Sequence, residues 1–560
     1  MKEKRNLKTS LAIVIIIITS TFYGCTTREN NNISTNDKDV NTSQLYSEPG
    51  SMPIVNEEIT LSIFAPDDGE NNRSENAQTI ELEEKTGIKI QWQIAPNADI
   101  KSKMNLMFAS GDVTDIIMTG VSKNSRLDKS SEALLGAQGL ILPLNEYYDT
   151  ISVGYKRAFE ELDGMREYIT TPDGNIYNMP NVDGSLHVQF NNKLWLNTKW
   201  LNNLELEIPK TIDEFYEVMK AFKEKDANGN GDVNDEIPLS TVISGAGTQI
   251  DGFLMNPFQL TPEVNKLYVD NGKIIFAPTQ DKYKEGLINP ESFTQDKNNQ
   301  VNINENGDYT VIGAFLAQRP GYAADLTSEP NSKKWEQYQS IPPLEGNDGT
   351  AISAWSPYAM YQTGMTFISS ASRYPEAAFR LIDGLATHEG MLRTAAGIEG
   401  THWRKANEGE LGLDGLQAEL TSIPGSDTTG QTWNQLSGLV RLPKDTVSST
   451  TNQDPYSDDV KPLAGRQVLM YKSSLDHEKV KQPLESVLPD LYQSLDAAEE
   501  MALVKTNVMD YQNDALVRFI TGDINIDDGW ENYLSQLNSV GLDRYIELLQ
   551  VAYDESAFSN

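Results

Sequence analysis

The chain has 560 residues, 46 of them Lys or Arg against 81 Asp or Glu, and a formal charge of −35. That acidic excess opposes nucleic acid and broad contact with anionic lipid, because both partners are themselves negative. The single cysteine excludes an intrachain disulfide and a cysteine-based metal cluster.

Lys2, Lys4, Arg5 and Lys8 form a basic head, Leu11 to Ile18 an apolar run, and TSTFYGC sets Gly24 directly before Cys25. A basic head, a short apolar run and a small residue at the cut site predict a signal peptide over residues 1–24. The run is too short to span hydrocarbon comfortably. The alternative is an uncleaved anchor with Cys25 incidental, but the one cysteine of the chain stands at the cut site. Cys25 is therefore the expected lipid attachment. Two or more acyl chains make a stable anchor, and a diacylglyceryl group supplies them. The protein is then held on the outer face of a bacterial cell membrane through lipid only. Loss of Met1 to Gly24 removes four basic residues and Glu3, leaving roughly −38. Residues 25–57 are rich in Asn, Ser and Thr and poor in large apolar groups, which predicts a flexible tether.

The remaining stretch exceeds what one core supports, so two or more lobes are expected. Glu58 to Ala65, EITLSIFA, alternates as a strand does. Ala77 to Lys85 reads as a helix stopped by Gly87, Ile88 to Ile94 as a second strand, Lys101 to Ala109 as a helix and Asp115 to Met118 as a short buried strand. This rhythm predicts a parallel α/β layer. Further on, Phe215 to Lys225 is an amphipathic helix with a cap at Thr211. Asn271 to Phe276 is a turn entering a strand, and Tyr374 to Thr387 is a helix started by Pro375. Leu495 to Thr521 is a long helix, and Trp530 to Ala552 is one or two helices broken near Gly541. No single linker divides the body, so the chain is expected to cross between lobes more than once.

One local constellation points to an ion. In Asp226-Ala-Asn228-Gly-Asn230-Gly-Asp232-Val-Asn234-Asp235-Glu236, oxygen-bearing side chains alternate through a glycine-rich turn. Asp226, Asn228 and Asn230 fit positions one, three and five of a calcium loop, and Gly231 fits position six. The twelfth position falls on Ile237 rather than Glu, and the acids come earlier, at Asp235 and Glu236. Magnesium suits a flexible all-protein cage poorly; the bland alternative is a solvated turn. The loop sits between a helix and IPLS, so the expected role is a structural calcium staple.

Nothing in the sequence spells a catalytic motif. The four histidines, His187, His388, His402 and His477, form no HExxH pair, and neither a nucleophile elbow nor a phosphate-binding loop is present. Flat aromatic faces suit a sugar better. Tyr177, Trp195, Trp355, Tyr358 and Trp403 are candidates by their turn-like contexts, each weighed against simple core packing. Arg518 is a candidate for orienting a polar ligand, against a salt bridge. Asp67, after the first strand, is a candidate cleft acid, against a solvated loop acid.

Several segments, in order along the chain, resemble the extracellular solute-binding proteins of carbohydrate ABC importers, in the large lipoprotein-type branch that includes alginate- and pectin-oligosaccharide binders. They are MNLMFASGDVTDII, GLILPLNEYYD, TPDGNIYNMP, IPKTIDEFYEVMKAFKEKDANGNGDVNDEIPLS, GIEGTHW and FITGDINIDDGWENYLSQLNSVGLDRYIELLQVAYD. The resemblance implies an α/β, two-lobe periplasmic-binding-protein-like fold with solute gripped in an interlobe cleft. It implies residues 58–180 mainly in the first lobe, 181–350 mainly in the second, 351–470 mainly returning to the first, and 471–560 mixed crossover and terminal helices. It implies calcium held by Asp226, Asn228, Asn230, the backbone of Asp232, and Asp235 or Glu236. One extra residue before Asp235 makes Asn234 a further ligand candidate. The expected function is a monomeric, lipid-anchored receptor that passes an oligosaccharide or other small polar solute to ABC permease subunits. The rivals are a secreted polysaccharide-degrading enzyme and a carbohydrate-binding surface scaffold.

Overall fold

The computed structural model describes residues 45–559 except 68–71, 123–124, 243–244, 249–252, 254–266, 271–272, 277–286, 326–332, 347–348, 424, 437, 450–453 and 455–461. Cys25, the signal segment and most of the tether lie outside the described residues.

The first lobe forms around a four-stranded sheet in the order Thr366–Ile368, Ile116–Met118, Ile59–Asp67, Ile88–Pro96. The last three strands are parallel, as the strand–helix rhythm predicts. Helices Ala77–Thr86 and Ile100–Ser110 connect them, each ending on a left-handed glycine, Gly87 or Gly111. The alternation in the first strand has a direct packing consequence. Leu61, Ile63 and Ala65 enter one core with Ile88, Ile116, Tyr155 and Phe379. Phe64 enters the opposite core with Ile100, Met104, Met107 and Tyr177. Asp115 pins the register of the central pair: its carboxylate accepts from Ser62 N at 2.8 Å and Ser62 Oγ at 2.7 Å.

The fourth strand, Thr366–Ile368, is antiparallel and arrives from some 250 residues downstream. It brings helix Pro375–Ala386 onto the same core. Asp383 of that helix caps helix Gly154–Glu161. Its two oxygens accept from Ser152 Oγ at 2.6 Å and from the backbone N–H groups of Val153, Gly154 and Tyr155 at 2.7, 3.0 and 3.0 Å. One buried carboxylate thus satisfies a whole helix N-terminus.

The second lobe forms around the order Tyr338–Ser340, Leu194–Asn197, Ile312–Leu316, Ile237–Ser240. Leu194, Leu196, Ala314 and Leu316 face a core with Trp200, Phe215 and Phe222. Trp195 and Phe315 face another with Tyr322 and Tyr338. Helix Ile212–Glu224 covers the first of these faces and starts at a capping box between Thr211 and Glu214. It begins three residues before the apolar pattern does, because the cap rather than the first apolar residue sets the boundary.

Three passes of the chain meet between the two sheets. Ser353 Oγ lies 2.7 Å from His477 Nδ1, and Trp355 Nε1 donates to Gln482 O at 2.6 Å. Ser356 N donates to Gln189 O, and Phe190 stacks on Trp355 at 6.1 Å. Buried Lys193 donates to Ser474 Oγ at 2.8 Å, in helix Pro462–Glu478. The chain then returns to the first lobe, where Lys129 Nζ donates to Asp490 O and Tyr492 OH to Glu132 Oε1. Helix Leu495–Thr521, about 40 Å long by its rise per residue, packs Leu516 and Ile520 onto the second-lobe core. Among the described residues no helix is long and apolar enough to cross a membrane.

Two outcomes follow. Asp383→Ala leaves buried N–H donors unpaired, so unfolding in denaturant will show a loss of about 3 kcal/mol at unchanged slope; an unaltered midpoint contradicts the capping role. Burial lowers Lys193 from 10.5 to about 7. Between those values the unfolded chain holds the proton and the folded chain does not, so this group makes stability rise with pH. Lys193→Met removes that rise. Its thermal midpoint relative to the parent will be highest at pH 6 to 7 and will decline toward pH 10; a pH-independent difference contradicts the assignment.

Candidate functional site

The parallel strands of the first lobe end on Asp67, Pro96 and Met118, and ligands in open α/β sheets sit beyond such ends. Asp67 is exposed there, and its backbone carbonyl accepts from Asn97 Nδ2 at 3.1 Å. In the second lobe the corresponding ends lead into Thr241 and into Ala317, Gln318 and Arg319. Gln318 Nε2 donates to Asn191 Oδ1 at 2.6 Å, tying this rim to the first crossing segment.

That crossing segment begins at strand Asn181–Asp183, which pairs with Tyr361–Gln362 and Val440–Arg441. Arg441 Nη2 donates to Asp183 Oδ1 and to Ser185 Oγ, both at 2.8 Å. Burial on its own would raise the Asp183 carboxyl; Arg441, His187 and Ser185 bring it down to about 2 instead. Burial lowers His187 to about 3, with Lys193, Arg441 and Arg466 adding to the effect against Asp183. His187 is therefore a neutral imidazole at physiological pH, carrying one donor and one acceptor, which matches the hydroxyl chemistry of a sugar.

The candidates read from sequence are distributed differently. Trp195 is fully buried, stacked on Phe315 and donating to Ala317 O at 2.9 Å. Tyr177 is buried and donates to Asp173 Oδ2 at 2.8 Å; burial and then Asp173 raise it to about 12. Trp403 is buried beside Met391 and Leu420 and donates to Gly397 O. In this conformation the faces of these three rings serve packing. Arg518 makes a surface ion pair with Asp514 at 3.6 Å. Trp355 and Tyr358 are brought together at the crossing, both packed around Phe190 and Val487. Tyr358 is half-buried and stacks on Tyr168 at 5.5 Å. Sequence reasoning missed Asp183, Gln318 and Arg441, and noted His187 only as one of four histidines. Strand pairing between distant segments brings them together.

The Asp226–Glu236 loop joins helix Ile212–Glu224 to strand Ile237–Ser240. Asp226 accepts from the N–H groups of Gly229, Asn230 and Gly231 at 2.9, 3.0 and 2.9 Å. Gly229 and Gly231 have φ of 78° and 93°, which is the reason glycine stands there. Asn228 Nδ2 and Asn230 Nδ2 donate to Asp235 at 3.1 and 2.7 Å. Glu236 Oε1 accepts from Ala227 N at 2.9 Å, while the buried Oε2 has no partner among the described residues. Burial raises the Glu236 carboxyl. Asp232 and Asn234 bond each other at the exposed tip. The loop thus gathers Asp226, Asn228, Asn230, Asp235 and Glu236 with the backbone of Asp232, whose N–H donates to Asn230 Oδ1 at 2.7 Å, and Asn234 is tied to this group through Asp232. Among the described residues no three His, Cys, Asp or Glu groups cluster as a metal site. The oxygen set here relies on Asn side chains and backbone. An orphaned carboxylate oxygen and two amides that present oxygen on rotation suit a hard cation.

The model for the family described as bacterial extracellular solute-binding protein matches residues 75–392. The fructooligosaccharide ABC transporter substrate-binding protein FusA of Streptococcus pneumoniae is 26% identical over 544 residues, covering 92% of this chain and 94% of the relative. Lipoprotein LipO of Bacillus subtilis is 25% identical over 362 residues, covering 61% of this chain and 67% of the relative. An extracellular solute-binding protein of Bifidobacterium longum subsp. infantis superposes with TM-score 0.71 at 20% identity, over 90% of this chain and 99% of that one. The S. pneumoniae FusA EF-hand mutant with fructo-nystose gives 0.65 at 23%, and the alginate-binding protein AlgQ2 without calcium ion gives 0.60 at 20%. Each of these two spans 89% of this chain and 99% of its own. With more than half of its length under the family model and the two-lobe fold in common with these structures, the chain belongs to the bacterial extracellular solute-binding protein family.

Proposed function

We propose that this protein is a lipid-anchored receptor of an ABC importer that captures an oligosaccharide between its lobes and delivers it to membrane permease subunits. The observation that carries this reading is the likeness to a fructooligosaccharide-binding subunit over 92% of the chain. It is joined to a polar crossing region whose neutral His187 and charged Asp183–Arg441 pair suit hydroxyl-rich ligands. Residues 58–180 with 351–470 belong mainly to one lobe and 181–350 mainly to the other, with 471–560 shared. Cleavage before Cys25 and lipidation there, supported by the lipoprotein relative, keep the receptor beside its permease. Binding, not bond cleavage, is its task, and it works as a monomer. Trp355 and Tyr358 are the aromatic candidates nearest the crossing; Asp67 is the first-lobe polar candidate.

Calcium is a structural ion in this reading, held by Asp226, Asn228, Asn230, Asp235 and Glu236. It would fix the turn between a core helix and a core strand; Asp232 contributes through its backbone, and Asn234 is a further candidate. The fold's EF-hand mutant and calcium-free forms support the assignment.

Calorimetry of the mature chain against kestose, fructo-nystose and neutral and uronic-acid oligosaccharides, paired with solution scattering, tests the receptor. Saturable one-to-one binding with a smaller radius of gyration is expected. Turnover of any of these sugars to shorter products refutes the binding-only role. Prolonged chelation is expected to lower the thermal midpoint by several degrees, and added calcium to restore it, since an ion bound only by the folded state stabilises it. The Asp235→Ala variant should not respond. An unmoved midpoint in the parent refutes the calcium staple.

A further inference from the structure

We propose that Lys297, Arg319 and Arg466 form an oxyanion subsite on the second lobe, taking a carboxylate or sulfate group carried by the solute. The inference rests on the solute-receptor reading and deepens it, by naming an acidic substituent of the ligand.

A cavity of about 480 Å³ is lined by these three cations together with Asn298, Asn302 and Asp325. That volume suits one charged saccharide unit with its solvent. The cations come from three separate places. Lys297 opens helix Lys297–Glu305, Arg319 follows strand Ile312–Leu316, and Arg466 lies in helix Pro462–Glu478. Lys297 Nζ and the Arg319 guanidinium each lie 5.7 Å from the centre of the Tyr322 ring, so one aromatic ring holds two of them. The ring is itself held, because Tyr322 OH accepts from Ala246 N at 3.2 Å. Leu469, one turn from Arg466, packs against Ala324 and Trp335 and against the cluster that holds Tyr322, which anchors the helix carrying the third cation.

Three cations against one lining carboxylate repel one another, and nothing in a chain of charge −35 makes such a gathering expected. The buried Arg466 Nε has no acceptor among the described residues. Burial and Arg319 together lower Arg466 to about 10, and burial, Arg319 and Arg466 lower Lys297 against the pull of Asp325. An incoming oxyanion relieves this repulsion, and a guanidinium pairs with carboxylate or sulfate through a planar fork of donors. Arg319 lies just beyond the C-terminal end of core strand Ile312–Leu316, where ligands sit in open α/β sheets.

Two arms test the subsite. In the first, thermal midpoints are followed as sodium sulfate replaces sodium chloride at constant ionic strength. A saturable rise is expected in the parent and its loss in Lys297→Gln, an exposed position that carries little folding risk, and in Arg319→Gln. In the second, calorimetry compares trigalacturonate with neutral kestose. The uronate is expected to bind the parent with affinity that falls as salt rises, and each variant to weaken it by about tenfold or more, leaving any kestose affinity unchanged. No saturable sulfate effect together with uronate affinity equal in parent and variants overturns the subsite. Failure of every sugar in both charge classes refutes the receptor reading, a result the sulfate arm reports on separately.

Discussion

The polar pairs buried where the chain passes between its two sheets are the constraint on which the rest of the molecule depends. Ser353 meets His477, Trp355 meets Gln482 and Lys193 meets Ser474 at 2.6 to 2.8 Å. Each pair joins segments more than a hundred residues apart, and each leaves a desolvated group unsatisfied when broken. Backbone bonds reinforce them: Ser353 N donates to Val480 O and Gln482 N returns the bond to Ser353 O. The passes therefore behave as one bundle.

How far the sequence reveals the fold depends on how each element is buried. The strand Ile59–Asp67 shows its alternation because exposed Thr60 and half-buried Ser62 fall between inward-facing Ile59, Leu61 and Ile63. Helix Leu495–Thr521 is legible from end to end, since Gly522 at φ 82° stops it and an exposed stripe runs along it. The second sheet is different. Ile312–Leu316 and Leu194–Asn197 are buried at every position. Such short unbroken runs carry no period, and they resemble core pieces of any kind. The edge strand Thr366–Ile368 is hidden for another reason: only pairing with Ile116–Met118 makes it a strand.

The same division governs the sites. The Asp226–Glu236 loop is readable because its oxygens and its two turning glycines lie within eleven consecutive residues. The aromatic candidates are harder to read, because a turn context is not exposure. Trp195, Trp355 and Trp403 each bury the ring and place the indole N–H on a backbone carbonyl, at Ala317, Gln482 and Gly397. A Trp among Gly, Ser and Pro residues is as well suited to plugging a tight turn as to facing a ligand. Groups assembled from remote positions, such as Asp183 with Arg441, have no local signature at all.

Charge acts on two length scales in this molecule, and they oppose each other. The chain carries an excess of 35 negative charges, but salt screens exposed charges beyond about 8 Å at physiological ionic strength. Inside a partly enclosed pocket the screening is weaker and the nearest cations dominate. Lys297, Arg319 and Arg466 set the local field there, whatever the net charge of the chain. An acidic ligand then gains little from long-range attraction and depends on fitting the pocket. A polyanion too large to enter meets only the repulsive exterior. With the proposed subsite, discrimination among solutes rests on reach and shape as well as charge, and an acidic chain with a basic pocket provides both from ordinary side chains.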